Sequence, residues 1–235
     1  EIRNCDWSSD VCSSDLDRVT FRDAVALRMG VELPEGMPST CPSCGVTADL
    51  VHLLSCKKGG WVVRRHNEVM RAWKRYFEKA GYRIVHMEPV LRPLPPGTHP
   101  RPGTNTTNDA RADLVVRGDD GRDWYYDVAV IDTSCPTYAG KTASKALTDY
   151  EGIKDKAYAD RVAPLGSFTP LVCSVCGILA PSAAAAACKA ARRVDPDRNE
   201  RDSVLDLHSA MIQASAIKAT SLCLHAPSWA DLSDR

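Results

Sequence analysis

Two groups of residues in this sequence have types and spacing that could do chemistry. The first is "CPSCGVTADLVHLLSC", which gives Cys41-x2-Cys44-x7-His52-x3-Cys56. A Cys-x-x-Cys knuckle offers two sulfurs to one ion, and His52 and Cys56, four apart on a helical turn, project from one face. Soft thiolates and an imidazole arranged tetrahedrally suit zinc. Four protein ligands leave no open position, so the expected role is structural. The second group is a pair of acids, Asp113 in "RADLVV" and Asp127 in "YYDVAV", each interrupting an apolar run. A carboxylate inside a sheet is costly unless it meets a cation or a hydrogen-bond network. Paired strands can hold two such acids side by side, which is what a Mg²⁺ site needs. Glu68 and Glu88 can add to that site. The competing reading is that these acids form ion pairs with basic neighbours such as Arg111.

The elements that must position these residues follow from periodicity. "DRVTFRDAVALRMG" predicts a short helix with a glycine stop, and "VELPEGMPST" a connector. "WVVRRHNEVMRAWKRYFEKAGY" predicts a strongly amphipathic helix with Val62, Val69, Trp73, Tyr76 and Phe77 near one face. "RIVHMEPV" reads as a strand, and the Pro/Gly/Thr/Asn-rich "LRPLPPGTHPRPGTNTTND" as a mobile loop. The runs holding Asp113 and Asp127 flank "DDGR" and predict a hairpin. A helix over "SKALTDYEGIKDKAYADRV", weakened by Gly152, leads to a buried strand, "FTPLVCSVCGIL". Two further helices follow, "PSAAAAACKAARRV" and one capped by Asp202 or Ser203. The order from 62 to 176 is α-β-β-β-α-β, hence an α/β fold with a small mixed sheet. Cys173 and Cys176 repeat the Cys-x-x-Cys spacing. On an apolar strand such positions point to opposite faces, and no further ligand is close in sequence, so core cysteines are expected.

Composition sets the outer bounds. The chain has 235 residues, 44% hydrophobic and 26% charged, as soluble globular proteins do. Its ten cysteines are not spread as a disulfide framework, which favours a reducing compartment. No apolar run reaches a membrane-spanning length, so no membrane partner is expected, and the start lacks a secretory signal pattern. Formal net charge is zero, yet residues 57–79 hold eight Lys or Arg against Glu68 and Glu78. That local excess points to a polyanion partner, or else to a solvated helix face.

Acid, hairpin, acid within α-β-β-β-α-β resembles the core of PD-(D/E)xK nucleases. With the upstream CCHC module, the chain resembles the restriction-like endonuclease domain at the C-terminus of non-LTR retrotransposon polyproteins that carry a reverse transcriptase. The matching stretches are "CPSC…HLLSC", "GGWVVRRHNE", "EPVL", "RADLVV", "YYDVAV", "KDKAY" and "GSFTPLVCSVCG", covering roughly residues 20–180. Ala112 stands where the family often has Pro, and no Lys follows Asp127 in the x-Lys position. In the retrotransposon branch that Lys moves to the next helix, four residues before a Tyr. Lys154 and Tyr158 fit, with Lys156 as an alternative.

The resemblance implies Mg²⁺-dependent hydrolysis of a DNA phosphodiester. Asp113 and Asp127 would hold the metal, with Glu68 or Glu88 beside them and Lys154 on the attacking water or the phosphate. Lys57, Lys58, Arg64, Arg65, His66, Arg71 and Arg75 would contact phosphates, although His66 or Asn67 could simply fix the fold. It implies a nuclear location and, besides DNA, element RNA as a partner. The expected organisation is a helix and linker at 17–40, the zinc knuckle at 41–58, the nuclease core at 59–180 and C-terminal helices at 181–235. Two rival classes stand beside it. One is a non-catalytic zinc-dependent nucleic-acid-binding remnant. The other is a phosphate-metabolising or structural zinc protein sharing the α/β core. Residues 1–16 resemble a translated sequencing adapter through "CDWSSDVCSSD", which predicts a disordered segment fused to a fragment of a longer reading frame, its reverse transcriptase missing upstream.

Overall fold

The computed structural model of the protein describes residues 16–33, 37–91, 93–94, 102–118, 120–194 and 203–225. The adapter-like residues 1–15, part of the Pro-rich stretch and the candidate cap Asp202 lie outside the described residues. The elements are α1 (Arg18–Met29), α2 (Leu50–Ser55), α3 (Trp61–Lys79), β1 (Arg83–Met87), β2 (Leu114–Arg117), β3 (Asp123–Ile131), α4 (Ala143–Val162), β4 (Gly166–Ser174), α5 (Pro181–Val194) and α6 (Ser203–Leu224). The four strands form one sheet in the order β1-β2-β3-β4. The β1–β2 and β2–β3 pairings are antiparallel, and β3–β4 is parallel. From α3 to β4 the order is therefore the expected α-β-β-β-α-β, in a mixed α/β fold.

Local chemistry explains the boundaries. Asp17 caps α1 by accepting the Thr20 N–H at 2.9 Å, and Gly30 closes the helix at φ 65°. The Thr142 hydroxyl accepts the Lys145 N–H and starts α4, which then runs straight through Gly152. The β2–β3 turn is closed by the Gly118 N–H donating to the Arg122 carbonyl at 2.7 Å.

β3 explains its own sequence. Tyr126 and Val128 pack into the cluster built by α3, α5 and α6, whereas Ala129 and Ile131 pack with Leu147 of α4 on the opposite face. A strand covered on both sides reads as a near-continuous apolar run. The larger cluster centres on Val69, Trp73, Tyr76 and Phe77 of α3, with Phe77 stacked on Tyr126 at 4.8 Å. α5 and α6 contribute Ala183, Ala187, Ala190, Ile212 and Ala216 to it. These helices belong to the core itself, so packing does not divide the chain at residue 180.

A second cluster joins Cys41, Leu53 and Leu54 to Ala26 of α1, Trp61 of α3, Val175 just beyond β4, and Cys223 and Leu224 of α6. The Cys/His segment is thus welded to the rest rather than free-standing. Cys173 is a buried β4 residue, as expected. Cys176 is not on the strand: β4 ends at Ser174, and Cys176 sits half-buried in the following turn against the second cluster. Among the described residues, no helix is long and apolar enough to cross a membrane.

Candidate metal centre and acidic cleft

Cys41 and Cys44 lie on a tight turn. The Cys41 N–H donates to the Val46 carbonyl and the Gly45 N–H to the Cys41 carbonyl, each at 2.8 Å, and Gly45 takes φ 75°. Asp49 caps α2 by accepting the His52 N–H at 2.7 Å, which fixes His52 one turn before Cys56, the residue that ends the helix. The four ligand atoms of Cys41, Cys44, His52 and Cys56 all lie within 4.8 Å of one another. The Cys41 and Cys56 sulfurs are 3.7 Å apart. Zn–S bonds of about 2.3 Å in a tetrahedron require an S···S edge of about 3.8 Å, so the set fits zinc. Burial opposes ionisation of Cys41, but the Ser43 N–H and the His52 side chain outweigh it and bring the thiol down to about 6. The Val46 N–H favours the Cys44 thiolate, yet burial and the neighbouring Cys41 and Cys56 sulfurs push Cys44 up. Cys41 is thus favoured as the thiolate a metal takes, and Cys44 would give up its proton on binding.

The second site lies across the β2–β3 hairpin. Leu114 pairs with Tyr126, so one further step of the same register sets Asp113 opposite Asp127. Asp113 is held there by its own N–H on the Tyr126 carbonyl at 2.9 Å. Its Oδ2 accepts the Val128 N–H at 2.6 Å and lies 3.2 Å from His66 Nε2. The same Nε2 is 3.2 Å from the Val128 carbonyl. Both partners are acceptors, so Nε2 carries the proton. Two donors saturate Oδ2, while no donor among the described residues reaches Oδ1. Burial resists charging His66, but the hydrogen bond and charge of Asp113 outweigh it and hold His66 above the ordinary imidazole value.

Asp127 faces α4 and is only 4% exposed. Its Oδ2 lies 2.7 Å from Lys154 Nζ. Lys154 in turn sits between the rings of Tyr150 and Tyr158, at 5.9 and 5.6 Å from their centroids. Burial raises Asp127 to about 6; Lys154 pulls it down and Asp113 pushes it up. Burial also disfavours the charged form of Lys154, but Asp127 more than compensates and its pKa is raised. Each partner thus favours the charged form of the other. Burial, then the charge of Asp127, raises Tyr158, whose ring packs on Phe168 at 5.6 Å.

These side chains line an open cleft of about 680 Å³. Asp113, Asp127, Lys154, Tyr158, Arg65 and His66 are among its walls, with Asn105, Thr107, Asp109, Arg111 and Tyr150. No protein-family model and no curated protein matches this chain. The reading of the cleft rests on its own geometry.

Several sequence expectations need correction. Glu68 and Glu88 do not line the cleft. Two residues along a helix turn the side chain roughly 160° away, so Glu68 faces opposite His66 and binds Arg71 at 2.9 Å instead. Glu88 is exposed in a left-handed bend at φ 48°, and only its backbone meets the site, through its N–H on the Asp113 carbonyl and its own carbonyl on Arg111. Arg111 is therefore no ion-pair partner of the paired acids. Arg65 is buried at 4% exposure and donates to the Leu54 carbonyl at 3.1 Å and towards Cys223 Sγ, so it ties α2 and α6 to α3 rather than meeting solvent phosphates. Lys57, Lys58, Arg64, Arg71 and Arg75 are exposed, as a polyanion surface requires, but none of them lines the cleft. Arg64 lies over the Trp61 ring and Lys74 pairs with Glu78. Lys156 is exposed and outside the cleft, which leaves Lys154 as the lysine of the site.

Residues 102–109, expected to be mobile, are instead anchored to α4, through the Asn105 N–H on the Ala157 carbonyl and Arg161 on two loop carbonyls. Asn105, Thr107, Asp109 and Tyr150 are cleft residues that sequence reasoning did not assign. The polar run "NTTND" was their one visible signal, and it reads equally well as a loop.

Proposed function

We propose that this chain is a metal-dependent DNA endonuclease of the restriction-like type, braced by a structural zinc. The observation that carries this reading is the convergence of Asp113 and Asp127, paired across the β2–β3 hairpin, with Lys154 from α4 in one cleft. The donor set suits a hard cation. Two facing carboxylates, one of them deeply buried, are costly together without a cation to share. Asp113 Oδ1 and Asp127 would hold Mg²⁺. When bound there, the ion supplies charge neutralisation and a water of lowered pKa. His66 and the Val128 N–H fix the rotation of the Asp113 carboxylate by holding Oδ2. That assigns His66 to positioning rather than phosphate contact. Lys154, kept charged by Asp127 and screened by two tyrosine rings, stabilises negative charge developing on a phosphate oxygen beside it. The exposed lysines and arginines before and along α3 would position DNA without reading its sequence. Derivation from a retroelement, element RNA as a partner and nuclear residence follow from the resemblance alone and belong to the same proposal.

The test is nicking of supercoiled plasmid by the zinc-loaded protein in Mg²⁺. Open-circular product is expected, and Asp113→Ala and Asp127→Ala should abolish it. A wild-type protein that leaves plasmid intact, or variants that nick as well as wild type, would refute the reading.

One observation favours a second reading, a non-catalytic zinc-dependent nucleic-acid-binding module. With Glu68 and Glu88 outside the cleft, the facing acids are two, and Lys154 already neutralises one of them. Salt-dependent DNA binding with no Mg²⁺-dependent cleavage would select it.

A further inference from the structure

We infer that Arg161, which takes no part in the chemistry itself, is the positioning residue that holds the 104–111 segment as the substrate-facing wall of the cleft. This rests on the reading that the cleft accepts DNA.

Arg161 is a charged side chain buried to 2% exposure near the C-terminal end of α4. Its guanidinium donates to three backbone carbonyls from separate parts of the chain. Nη1 serves Asn105 at 2.9 Å and Thr107, and Nη2 serves Leu91 at 3.0 Å. A planar fork of fixed donors suits such a task, and a lysine ammonium does not reproduce it. Two neighbouring contacts join the same seam. The Thr104 hydroxyl donates to Asp160 Oδ2 at 3.2 Å, and the Asn105 N–H donates to the Ala157 carbonyl at 2.8 Å.

What the seam holds is informative. The anchored segment contributes Asn105, Thr107, Asp109, Ala110 and Arg111 to the cleft, nearly a whole wall. Arg161 is not itself among the lining residues. The rest of the lining stands on regular elements, Lys154 and Tyr158 on α4 and Asp127 on β3. Ala110 and Arg111 pair with Leu91 and Val90, and the Leu91 carbonyl is itself held by Arg161, while no strand ladder holds 104–109, so the width of the cleft there depends on the seam. The wall carries Arg111, an exposed cation, and the amide of Asn105, whose Oδ1 is held by the Thr107 hydroxyl at 2.8 Å, against one carboxylate, Asp109. The cation and the amide are groups that recognise a phosphodiester backbone. The inferred role is therefore ground-state binding of the strand, separate from the chemical step at Asp113, Asp127 and Lys154.

Arg161→Lys keeps the charge and removes the fork. Hydrogen exchange of the 104–111 amides, measured on the zinc-loaded full chain without DNA, should become about tenfold to hundredfold faster, with the amides in the first half of α4 unchanged. In plasmid nicking, KM should rise about tenfold while kcat stays within about twofold of wild type, the pattern of lost uniform binding. Thr104→Val removes only the Asp160 contact and should shift both readouts in the same direction by about threefold. If Arg161→Lys fails to retain zinc and fold, Thr104→Val carries the test alone. Unchanged exchange in the segment overturns the inference, as does a fall in kcat at constant KM. The exchange measurement decides the matter without DNA, so a wild-type protein that nicks nothing would sink the nuclease reading and leave the anchoring result standing.

Discussion

Replacing Asp127 with Asn removes a charge that the fold holds at a disadvantage. Asp127 is 4% exposed and its carboxyl is raised from 3.8 to about 6, chiefly by burial. A carboxyl whose pKa is higher in the folded state binds its proton more tightly there. Its contribution to stability is therefore greatest at low pH, falls as pH rises from 3.8 towards 6, and levels off above. At about 1.4 kcal/mol per pH unit, the whole window is worth about 3 kcal/mol, of which roughly 2 kcal/mol is lost between pH 4.5 and 7.5. The assay is urea unfolding of wild type and Asp127→Asn at both pH values, with zinc present and other divalent cations absent. The wild-type stability, measured relative to the variant, should fall by about 2 kcal/mol on going to pH 7.5. His66 is also raised when folded and loses its stabilising pair as pH rises past that value; Asp113 is the main cause of that rise and is present in both proteins, so only the smaller contribution of Asp127 to it remains in the difference. Mg²⁺ added at pH 7.5 should restore wild type, by about 2.7 kcal/mol at a hundred times its dissociation constant, and leave the variant unmoved. A wild-type-minus-variant difference that is flat with pH, or that grows in favour of wild type, would refute the reasoning.

Other outcomes follow from the same geometry. Lys154→Met should lower kcat for nicking by about a hundredfold or more, with DNA affinity measured by filter binding little changed. Arg65→Met should destabilise the protein by roughly 2–3 kcal/mol in urea melts, because it leaves the Leu54 carbonyl without its buried charged donor, and it should not alter the salt dependence of DNA binding. Arg75→Ala should do the reverse, reducing the slope of log affinity against log salt by about 0.9 with stability unchanged. Cys44→Ser should abolish stoichiometric zinc binding and lower the melting temperature, read by metal analysis and circular dichroism, because the cluster around Leu53 and Leu54 is built on that module. Gly177→Ala should cost about 1–3 kcal/mol, since Gly177 holds φ 79° and an added Cβ would meet the Gln213 backbone of α6 at 2.9 Å.

Where a single local pattern decides the structure, the sequence was readable. The four ligand positions are close in sequence, so spacing alone brought Cys41, Cys44, His52 and Cys56 together. Asp113 and Asp127 flank a short turn, so their pairing needed only the hairpin register. The strand and helix order followed from periodicity for the same reason. What could not be read depends on contacts across long stretches of chain. The burial of Arg65 depends on where α2 and α6 pack, and Cys223 of α6 lies 158 residues away. Helical angle does separate Glu68 from His66, yet which of the two faces the sheet is a matter of tertiary packing. The anchoring of 102–109 was invisible because its partner, Arg161, reads as one more charge at the end of a helix.

Two adjacent residues of α3 point to opposite ends of the molecule's chemistry. Arg65 grips the Leu54 carbonyl one residue before the end of the zinc module's helix, and His66 holds the Asp113 carboxylate. One turn of one helix is therefore an axle shared by the Cys/His cluster and the acidic cleft. If loss of zinc loosens α2, the first thing to shift is the helix that aims the acid. On the proposed function, a zinc with no open position for chemistry would then set a threshold for it, with the cleft in working order only in molecules whose cysteines are reduced and loaded.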